Sequence, residues 1–412
     1  MSKLDELIQE LCPNGVESVP LWSVTTWDKK FNAVDRKKQP KVINYSYLLA
    51  TDLFALQTDG GDVFLLSTGE QTGWTTEELA GDNLKEGEVV TLPWGKSRAV
   101  TDCIKYYKGK FVTADNRIAT SSALEKLDNK YLYYWLMSQG KVIDTFYRGS
   151  GIKHPDMAKV LDMEIPLPPL PVQREIVRIL DNFTEMNAEL TAELTARKKQ
   201  YAYYRDKLLH NDATTVYKRL GDFCDLLSGF PFDSGKFKED GIRLMRGMNI
   251  KRGYLDFAEE NNRYWESTDG IEKYLLNDQD IVISMDGSLV GSSYGMVSKK
   301  DLPLLLVQRV TRIRTNQANI RYVYHYIASG RFTEYVHKKK TAGAIPHISL
   351  KDISNFEVPL PSLEIQKRLV EVLDNFDAIC SDLKIGLPAE IEARQKQYEY
   401  YRDKLLTFTP AD

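Results

Sequence analysis

The stretch EIPLPPLPVQREIVRILDNF at residues 164–183 occurs a second time as EVPLPSLEIQKRLVEVLDNF at residues 357–376, an offset of 193 residues. The recurring residues include Pro166, Leu167, Pro168, Gln173, Leu180, Asp181, Asn182 and Phe183. A second block, RKKQYAYYRDKLL at 197–209, recurs as RQKQYEYYRDKLL at 394–406, now at an offset of 197. The chain therefore consists of two copies of one unit, and the second copy holds four extra residues between its blocks.

Weaker matches extend the repeat into the region upstream of each block, at offsets of 191 to 193. The matched segments are Glu88-Val-Val with Gly95 and Asp280-Ile-Val with Gly287; Asn116-Arg-Ile and Gln308-Arg-Val; Tyr131-Leu-Tyr-Tyr-Trp-Leu and Tyr322-Val-Tyr-His-Tyr-Ile; and Ile152-Lys-His and Ile345-Pro-His. So many matches in the same order indicate that each copy is a globular region of about 150 residues followed by a helical region.

The helical regions carry a long apolar seam. From Val172 to Leu208, apolar and aromatic residues recur at steps of four and three, which is typical of a coiled coil. The prolines at 166–171 and at 359–361 mark the helix starts, and about 37 residues would make a rod of roughly 55 Å. Gly386-Leu387-Pro388 should weaken or kink the second helix. We expect the two helices to pair with each other, although amphipathic helices can also pack on their own domains.

Composition limits the classes of protein that this chain can belong to. Of 412 residues, 55 are basic and 58 acidic, so the net charge of −3 excludes a polycation. The four cysteines are far apart, which indicates reduced structural thiols and no zinc site. The N-terminal residues do not resemble a signal peptide and no run is apolar enough to span a membrane, so we expect a cytoplasmic protein.

Basic residues are concentrated in the globular regions, in the runs 29–41, 96–117 and 236–252, each with six lysines and arginines. A single run of this kind is more often a solvated surface, but a similar excess in both copies favours DNA binding. Glycine in the matched loops at 93–98 and 286–288 permits close backbone approach to DNA or a tight turn. The predicted DNA contacts are Lys37, Trp94, Lys96, Ser97, Arg98, Lys105, Lys108, Lys236, Arg243, Arg246, Asn249, Lys251, Arg252 and Ser288. His154 and His347 occupy matching positions, and a pair of lone histidines of this kind is more often a pair of satisfied loop residues than a pair of ligands.

No enzyme motif is complete. Gly95-Lys96-Ser97 resembles the end of a P-loop, but Val90 occupies the position of the required glycine. Neither a glycine-rich nucleotide loop nor a zinc-hydrolase motif is found, which favours a chain without a catalytic site.

The paired PLPxLxxQxxIVxxLDNF and RxKQYxYYRDKLL blocks, separated by two different globular regions, resemble the specificity (S) subunit of type I restriction-modification enzymes. The resemblance covers essentially the whole chain. It implies an α+β fold with two pseudo-repeated globular α/β target recognition domains, each reading one half of a bipartite DNA site, joined by two long antiparallel coiled-coil helices. The expected domains are recognition domain 1 with a short N-terminal helix at 1–165, a central spacer helix at 166–210, recognition domain 2 at 211–358 and a C-terminal spacer helix at 359–412.

The resemblance also implies partners: double-stranded DNA, two methyltransferase (M) subunits and two restriction (R) subunits. It implies no catalytic residue, metal or cofactor in this chain, and S-adenosylmethionine, ATP and Mg in the partners. Residues 188–195, AELTAELT, are similar to a four-residue repeat that sets the distance between half-sites in some members. Two alternatives remain at this point: a self-contained DNA methyltransferase or nuclease, and a coiled-coil scaffold without DNA recognition.

Overall fold

The computed structural model describes residues 2–67, 69, 72–96, 98–114, 117–150, 152–209, 215–341, 346–381 and 385–411. The chain forms two compact units: unit 1 is Met1–Glu189 with Ile391–Asp412, and unit 2 is Leu190–Glu390. Each unit therefore combines the LDNF block of one copy of the repeat with the QYxYYRDKLL block of the other copy.

Unit 1 is built on a six-stranded sheet with the strand order β2-β7-β5-β6-β3-β4. Strand β3 pairs in parallel with β6, and the other pairs are antiparallel. Its elements are α1 (Lys3–Leu11), β1 (Ser18–Pro20), α2 (Leu21–Val24), β2 (Thr25–Trp27), α3 (Ala50–Ala55), β3 (Val63–Leu66), β4 (Trp74–Thr75), α4 (Glu77–Ala80), β5 (Lys85–Thr91), β6 (Lys105–Thr113), β7 (Ile118–Ser121), α5 (Asn129–Ser138), α6 (Gly140–Thr145), β8 (Tyr147–Arg148), β9 (His154–Pro155), α7 (Met157–Leu161), β10 (Glu164–Pro166) and the start of α8 (Leu170–Leu208).

Unit 2 has a four-stranded antiparallel sheet, β12-β18-β15-β16, and a separate three-stranded sheet, β14-β13-β17, in which β13 and β17 are parallel. Its elements after α8 are β11 (Tyr217–Arg219), α9 (Leu220–Phe223), β12 (Asp225–Ser228), β13 (Ile242–Met245), β14 (Tyr264–Trp265), β15 (Ile281–Ser284), β16 (Tyr294–Met296), β17 (Leu304–Leu306), β18 (Val310–Arg314), α10 (Ile320–Ala328), α11 (Gly330–Lys339), α12 (Leu350–Ser354), β19 (Glu357–Pro359), α13 (Leu363–Ser381) and the start of α14 (Leu387–Leu405).

The proline-rich stretches of the repeat close each globular region with a short strand pair. Strand β10 pairs with β1 in unit 1, and β19 pairs with β11 in unit 2. A buried tyrosine then donates to the carbonyl of the strand's last proline: Tyr131 to Pro166 at 3.0 Å and Tyr322 to Pro359 at 2.9 Å. These bonds fix the point at which the chain leaves the domain and enters a long helix.

The recurring glutamine makes hydrogen bonds to main-chain groups in both units. Gln173 is fully buried; its amide donates to the carbonyls of Lys126 and Pro168, and its oxygen accepts from the amide of Asp128. In unit 2, Gln366 accepts from the amide of Asn319 at 2.9 Å and donates to the carbonyl of Pro361 at 2.8 Å.

Asp128 and Asn319 are themselves the N-caps of α5 and α10, and each accepts from two main-chain amides of the first turn. The glutamine therefore ties the start of each cap helix to the start of a long helix.

The recurring aspartate makes a second tie. In unit 1, Asp181 accepts from Lys130 at 2.8 Å and from the Tyr134 hydroxyl at 2.6 Å. In unit 2, Asp374 lies 2.6 Å from Nε2 of the fully buried His325 and also accepts from Arg321. Burial disfavours the charged form of Asp374, but the hydrogen bonds from His325 and Arg321 outweigh it and lower the pKa of the carboxyl to about 2.

Within each unit the long helices pair in antiparallel directions. In unit 1, the Phe183 ring stacks on Tyr401 with centroids 5.5 Å apart, and Asn187 lies beside Gln395. In unit 2, Phe376 stacks between Tyr201 and Tyr204, at 6.5 and 6.1 Å. The phenylalanine of the LDNF block thus meets a tyrosine of the other copy's second block in both units.

The apolar seam was expected either to pair the long helices with each other or to pack each helix on its own domain. Both kinds of contact occur, in different parts of α8. Val172, Ile176 and Leu180 are fully buried in the core of unit 1, so the first turns of α8 pack on a domain. Further along α8, Phe183, Tyr201 and Tyr204 contact the opposing helix, which is the predicted pairing. Pro171 lies in the first turn, where a missing amide costs nothing, and α8 then runs unbroken for 39 residues.

The predicted break in the second helix is confirmed. Helix α13 ends at Ser381 and α14 begins at Leu387, with Ile385 and Gly386 outside both helices. The proline at 388 lies at the second position of α14, where it is tolerated, but it could not continue a helix from α13.

The two chain ends meet within unit 1. Lys3 of α1 pairs with Glu175 of α8 at 3.1 Å, and the amide of Val16 donates to the carbonyl of Thr409 at 2.9 Å. Hydrogen bonds from Arg178 and Lys3 lower the pKa of Glu175 to about 2. The N-terminal helix therefore contacts α8, and the segment that follows it contacts the C-terminal segment.

The fold class implied by the family resemblance is confirmed: two pseudo-repeated α/β domains with long antiparallel helices. The four cysteines are free thiols, and burial raises the pKa of Cys224 to about 12. Across the described ranges, no helix is both long and apolar enough to cross a membrane.

Candidate nucleic-acid interface

The basic residues predicted in unit 1 differ in how far their side chains are available. Lys37 lies exposed in the turn Arg36–Lys38, and Lys108 is 70% exposed with its ammonium 3.2 Å from Glu88. Trp94 is 46% exposed and its ring lies edge-on against His154, with centroids 4.2 Å apart. These three side chains are accessible to a ligand.

The other predicted residues of unit 1 make contacts within the fold. The Lys96 ammonium is only 10% exposed, pairs with Asp144 and lies 4.9 Å from the centre of the Tyr147 ring. Arg98 donates to the Cys103 sulfur at 3.2 Å, and Lys105 donates to the carbonyls of Ser67 and Gly69. These bonds stabilise the loops beside the exposed residues. Ser97 lies outside the described residues.

In unit 2, two of the predicted arginines between residues 236 and 252 each lie beside an aromatic ring. The Arg243 guanidinium lies 4.7 Å from the centre of the Phe257 ring, and Arg246 lies 5.7 Å from the Phe237 ring. Burial lowers the pKa of Arg246, and the positive charge of Arg263 lowers it further. A bound anion would oppose both effects, because a nearby negative charge favours the charged form of an arginine.

The remaining residues of this group are of mixed kind. Lys236 and Arg252 are exposed, and Lys251 lies 3.6 Å from Asp256. Asn249 is fully buried; its oxygen accepts from the amide of Arg246, and its nitrogen donates to the carbonyls of Asp256 and Asn261. In this conformation Asn249 shapes the loop that presents the arginines and does not reach a ligand itself.

A cavity of about 660 Å³ opens beside Phe237. It is lined by Ser234, Phe237, Lys238, Glu239, Glu259, Asn262, Arg263 and Tyr264. Phe237 connects it to Arg246, so cations and aromatic faces border the same concave surface. Arginine beside aromatic rings is a combination that suits both phosphates and base faces.

The two matched loops require glycine for different structural reasons. A side chain at Gly95 would collide with Ile152, because the loop that carries His154 crosses it closely. Gly287 has φ +106, a conformation that residues with side chains rarely adopt. Ser288 follows it and is exposed. Each loop contacts the loop that carries the matched histidine. The main-chain amide of Lys96 donates to the carbonyl of Lys153, and that of Gly287 donates to the carbonyl of Pro346, each at 3.1 Å.

The fold places several residues near these loops that the predicted set of DNA contacts does not contain. A cavity of about 550 Å³ in unit 1 is lined by Lys29, Lys30, Phe31, Asn32, Ala33, Arg117, Arg148, His154, Pro155, Asp156 and Met157. In unit 2, Arg309 contacts both His347 and Asp286. The signal that could have identified Arg117 and Arg309 is their match across the repeat.

Arg309 also has an unusual backbone. Its φ of +73 is in the left-handed region, which costs a residue with a side chain about 1 kcal/mol. A residue held in this way is often part of a binding site.

The structure gives no sign of a metal centre among the residues it describes: no three histidine, cysteine or acidic side chains there are placed to hold an ion. Burial raises the pKa of Asp28 to about 6, but this carboxylate is 2% exposed and accepts from the amide of Ile118. Its role is therefore to cap the start of β7.

Comparison with known proteins identifies the family to which this chain is similar. The family model for the type I restriction modification DNA specificity domain matches residues 47–197 and 213–393. The chain is 34% identical over 304 residues to the type I restriction enzyme EcoR124I/EcoR124II specificity subunit of Escherichia coli, covering 71% of this chain and 74% of that one. It is 29% identical over 348 residues to a putative type I restriction enzyme specificity subunit of Haemophilus influenzae, covering 79% and 84%.

Solved structures share the fold. The S subunit of a type I restriction-modification system from M. genitalium matches 95% of this chain and 96% of its own, with a TM-score of 0.56 and 16% identity. A chain from a structure of type I R-M complex assembly matches 96% and 98%, with a TM-score of 0.59 and 18% identity. No comparison supports a self-contained methyltransferase, a nuclease or a scaffold without DNA recognition. The chain belongs to the family of type I restriction-modification DNA specificity proteins.

Proposed function

We propose that this chain is the non-catalytic specificity subunit of a type I restriction-modification complex. Unit 1 reads one half of a bipartite DNA site and unit 2 reads the other. The observation that carries this proposal is the division within the repeat. The residues that tie each domain to the helices recur, whereas the sheets and cations around them differ between the units. Two readers of different sequences on one helix pair would have this organisation.

The physical gain from two tethered readers is large. A matched base pair contributes about 1–3 kcal/mol, so a domain that reads three or four base pairs discriminates weakly alone. Once one domain is bound, the second binds at the high effective concentration set by the connection between them. A connection of fixed length, such as helices without flexible linkers, would also select the spacing of the two half-sites.

The partners follow from the same proposal. Two methyltransferase subunits would supply S-adenosylmethionine chemistry on adenine, and two restriction subunits would supply ATP- and Mg-dependent cleavage. A methyltransferase must extrude its target base from the duplex, so it needs DNA that another subunit holds in register. The exposed members of the predicted contact set, such as Trp94, Lys108 and Arg252, are the proposed DNA contacts of this subunit.

The test is an exchange of one recognition domain. Residues 16–160 are replaced by the corresponding segment of a relative with a different target, and the chain is expressed with its methyltransferase partner. Sequencing of methylated bases should then show one half-site changed and the other retained. Methylation that changes at both half-sites would contradict independent readers. A methylated site that is not bipartite in the unaltered protein would overturn the proposed function.

A second test lengthens the connection. Inserting one Thr-Ala-Glu-Leu turn after Leu194 adds about 6 Å to α8. At about 3.4 Å per base pair, the methylated motif should keep both half-sites while its spacer grows by one or two base pairs. Exchanging Thr191 to Leu194 for another helical four-residue sequence of equal length is the matched control, and it should leave the spacer unchanged. An unchanged spacer after the insertion would show that the helix does not set the distance.

A further inference from the structure

Three segments that match across the repeat meet at one place in each unit. In unit 1 they are the loop after β5, Arg117 before β7, and His154 in β9. In unit 2 they are the loop after β15, Arg309 before β18, and His347. The arginines are 192 residues apart and the histidines 193. Since the segments are distant in the chain, their meeting in both units is a property of the shared fold.

In unit 2 the matched residues form a connected group. The Arg309 guanidinium lies 3.4 Å from Nε2 and 3.5 Å from Nδ1 of His347. Nδ1 of His347 is 3.1 Å from the carbonyl of Met285 and 2.5 Å from the Asp286 carboxylate. Asp286 is also 3.5 Å from Arg309, whose side chain remains 56% exposed. The arginine is thus positioned at the surface by one histidine and one carboxylate.

In unit 1 the matched pair lines the cavity of about 550 Å³. Nδ1 of His154 is 2.9 Å from the carbonyl of Trp94, so the ring is fixed in the same manner as in unit 2. Lys29, Lys30 and Arg148 line the same cavity, with Asp156 as the one carboxylate among its lining residues. The cavity therefore has an excess of positive charge, which suits an anion.

A feature present in both units cannot distinguish two different half-sites. The backbone phosphates are the same for every DNA sequence, and arginine matches their geometry well. We propose that the matched Arg–His pair, Arg117 with His154 and Arg309 with His347, binds one backbone phosphate of the duplex in each half-site. This inference rests on the proposed function. The matched pair would position each unit on the DNA, and the segments that differ between the units would read the bases.

The experiment uses the full chain in complex with its methyltransferase partner and duplexes of the mapped target and of a scrambled sequence. Arg309→Gln should weaken binding to both duplexes by the same factor, about five- to tenfold. The slope of log affinity against log salt should fall by about 0.9, the value for one phosphate contact. Lys218→Gln, in β11 at the base of the long helices, removes the same charge and should change neither quantity.

A phosphate scan locates the contact. Replacing single phosphates of the target by neutral methylphosphonates should reveal one position at which the unaltered protein loses affinity and Arg309→Gln loses nothing more. Because Arg117 is 9% exposed and its removal would disturb the fold, His154→Gln is the variant for unit 1. For His154→Gln, the phosphate whose replacement causes no further loss of affinity should lie in the other half-site.

Asp286→Asn tests whether the Arg309–His347 pair binds a phosphate or only stabilises the loop. Removing the carboxylate leaves Arg309 unopposed, so binding to both duplexes should tighten severalfold; a pair that only stabilises the loop would give no tightening. A loss confined to the target duplex, or an unchanged salt slope for Arg309→Gln, would overturn the inference while the proposed function stands. Absence of target binding by the unaltered complex would instead overturn the proposed function.

Discussion

In unit 1 the parallel strand β3 joins the central sheet and extends it to six strands, whereas in unit 2 the parallel pair β13–β17 forms a sheet of its own. The strands β2-β7-β5-β6 and β12-β18-β15-β16 nevertheless have the same order, and each leads to a helix capped against a buried glutamine. The two units therefore share one structural frame. What must be common to both units, attachment to the helices, is carried by the frame, and what must differ lies in the added strands and loops.

The frame is not identical in its chemistry. Asp181 in unit 1 accepts from a lysine and a tyrosine, whereas Asp374 in unit 2 contacts an arginine and a fully buried histidine. The same attachment is therefore made in unit 1 with a flexible cation and a tyrosine hydroxyl, and in unit 2 with a guanidinium and an imidazole. This difference predicts unequal sensitivity of the two units to pH.

The largest effect should come from the shared glutamine. Gln173→Leu and Gln366→Leu each leave buried main-chain groups without partners, so each should destabilise its own unit by about 2–3 kcal/mol. The two losses should agree within about 1 kcal/mol, because both glutamines receive an N-cap amide and donate to a proline carbonyl. Hydrogen exchange of peptides from α5 and α10 measures the two units separately.

Gln9→Leu provides the control for this comparison. Gln9 is an exposed glutamine in helix α1, so its replacement should change stability by no more than about 0.5 kcal/mol. If Gln173→Leu and Gln366→Leu were also that mild, the glutamine would not be the tie between cap helix and long helix.

A smaller and unequal effect is expected at the aspartates. Asp374→Asn should cost unit 2 about 2 kcal/mol at pH 7, because two cationic or polar partners lose a carboxylate that is only partly exposed to solvent screening. Asp181→Asn should cost unit 1 about 1 kcal/mol. Asp206→Asn, an exposed aspartate beside Arg205, is the control and should be close to neutral.

The pH dependence gives this prediction its sign. The pKa of Asp374 falls from 3.8 to about 2 on folding, so its contribution is complete above about pH 4 and is lost as the pH falls towards 2. Exchange protection of α10 in the unaltered protein should decline through this window more steeply than in Asp374→Asn. Parallel declines in the two proteins would show that Asp374 contributes no such stability.

Much of the fold was predictable because it depends on local patterns. The long helices follow from apolar spacing, their starts from proline and the break from Gly386 and Pro388. The attachment residues were also visible as repeated letters, although their purpose was not. That Gln173 binds an N-cap 45 residues away, or that Phe183 meets Tyr401, depends on contacts between distant segments.

The predicted interface shows where sequence reasoning stops. Lys96 and Asn249 carry suitable chemistry but are held inside the fold, by Asp144 in one case and by loop carbonyls in the other. Charge runs cannot reveal this, because burial is decided by neighbours far along the chain. Whether the exposed members of the set contact DNA stays a prediction.

A duplicated unit with two long helices follows from the sequence alone, because the repeat is visible in the order of the residues and helical periodicity is a local pattern. The availability of each cation depends on the tertiary structure, as does the meeting of the matched residues: Arg117 and His154 line one cavity, and Arg309 contacts His347. The physical reason is that a binding site is an arrangement of side chains from separate loops, and their distances are set by the packing of the whole sheet beneath them.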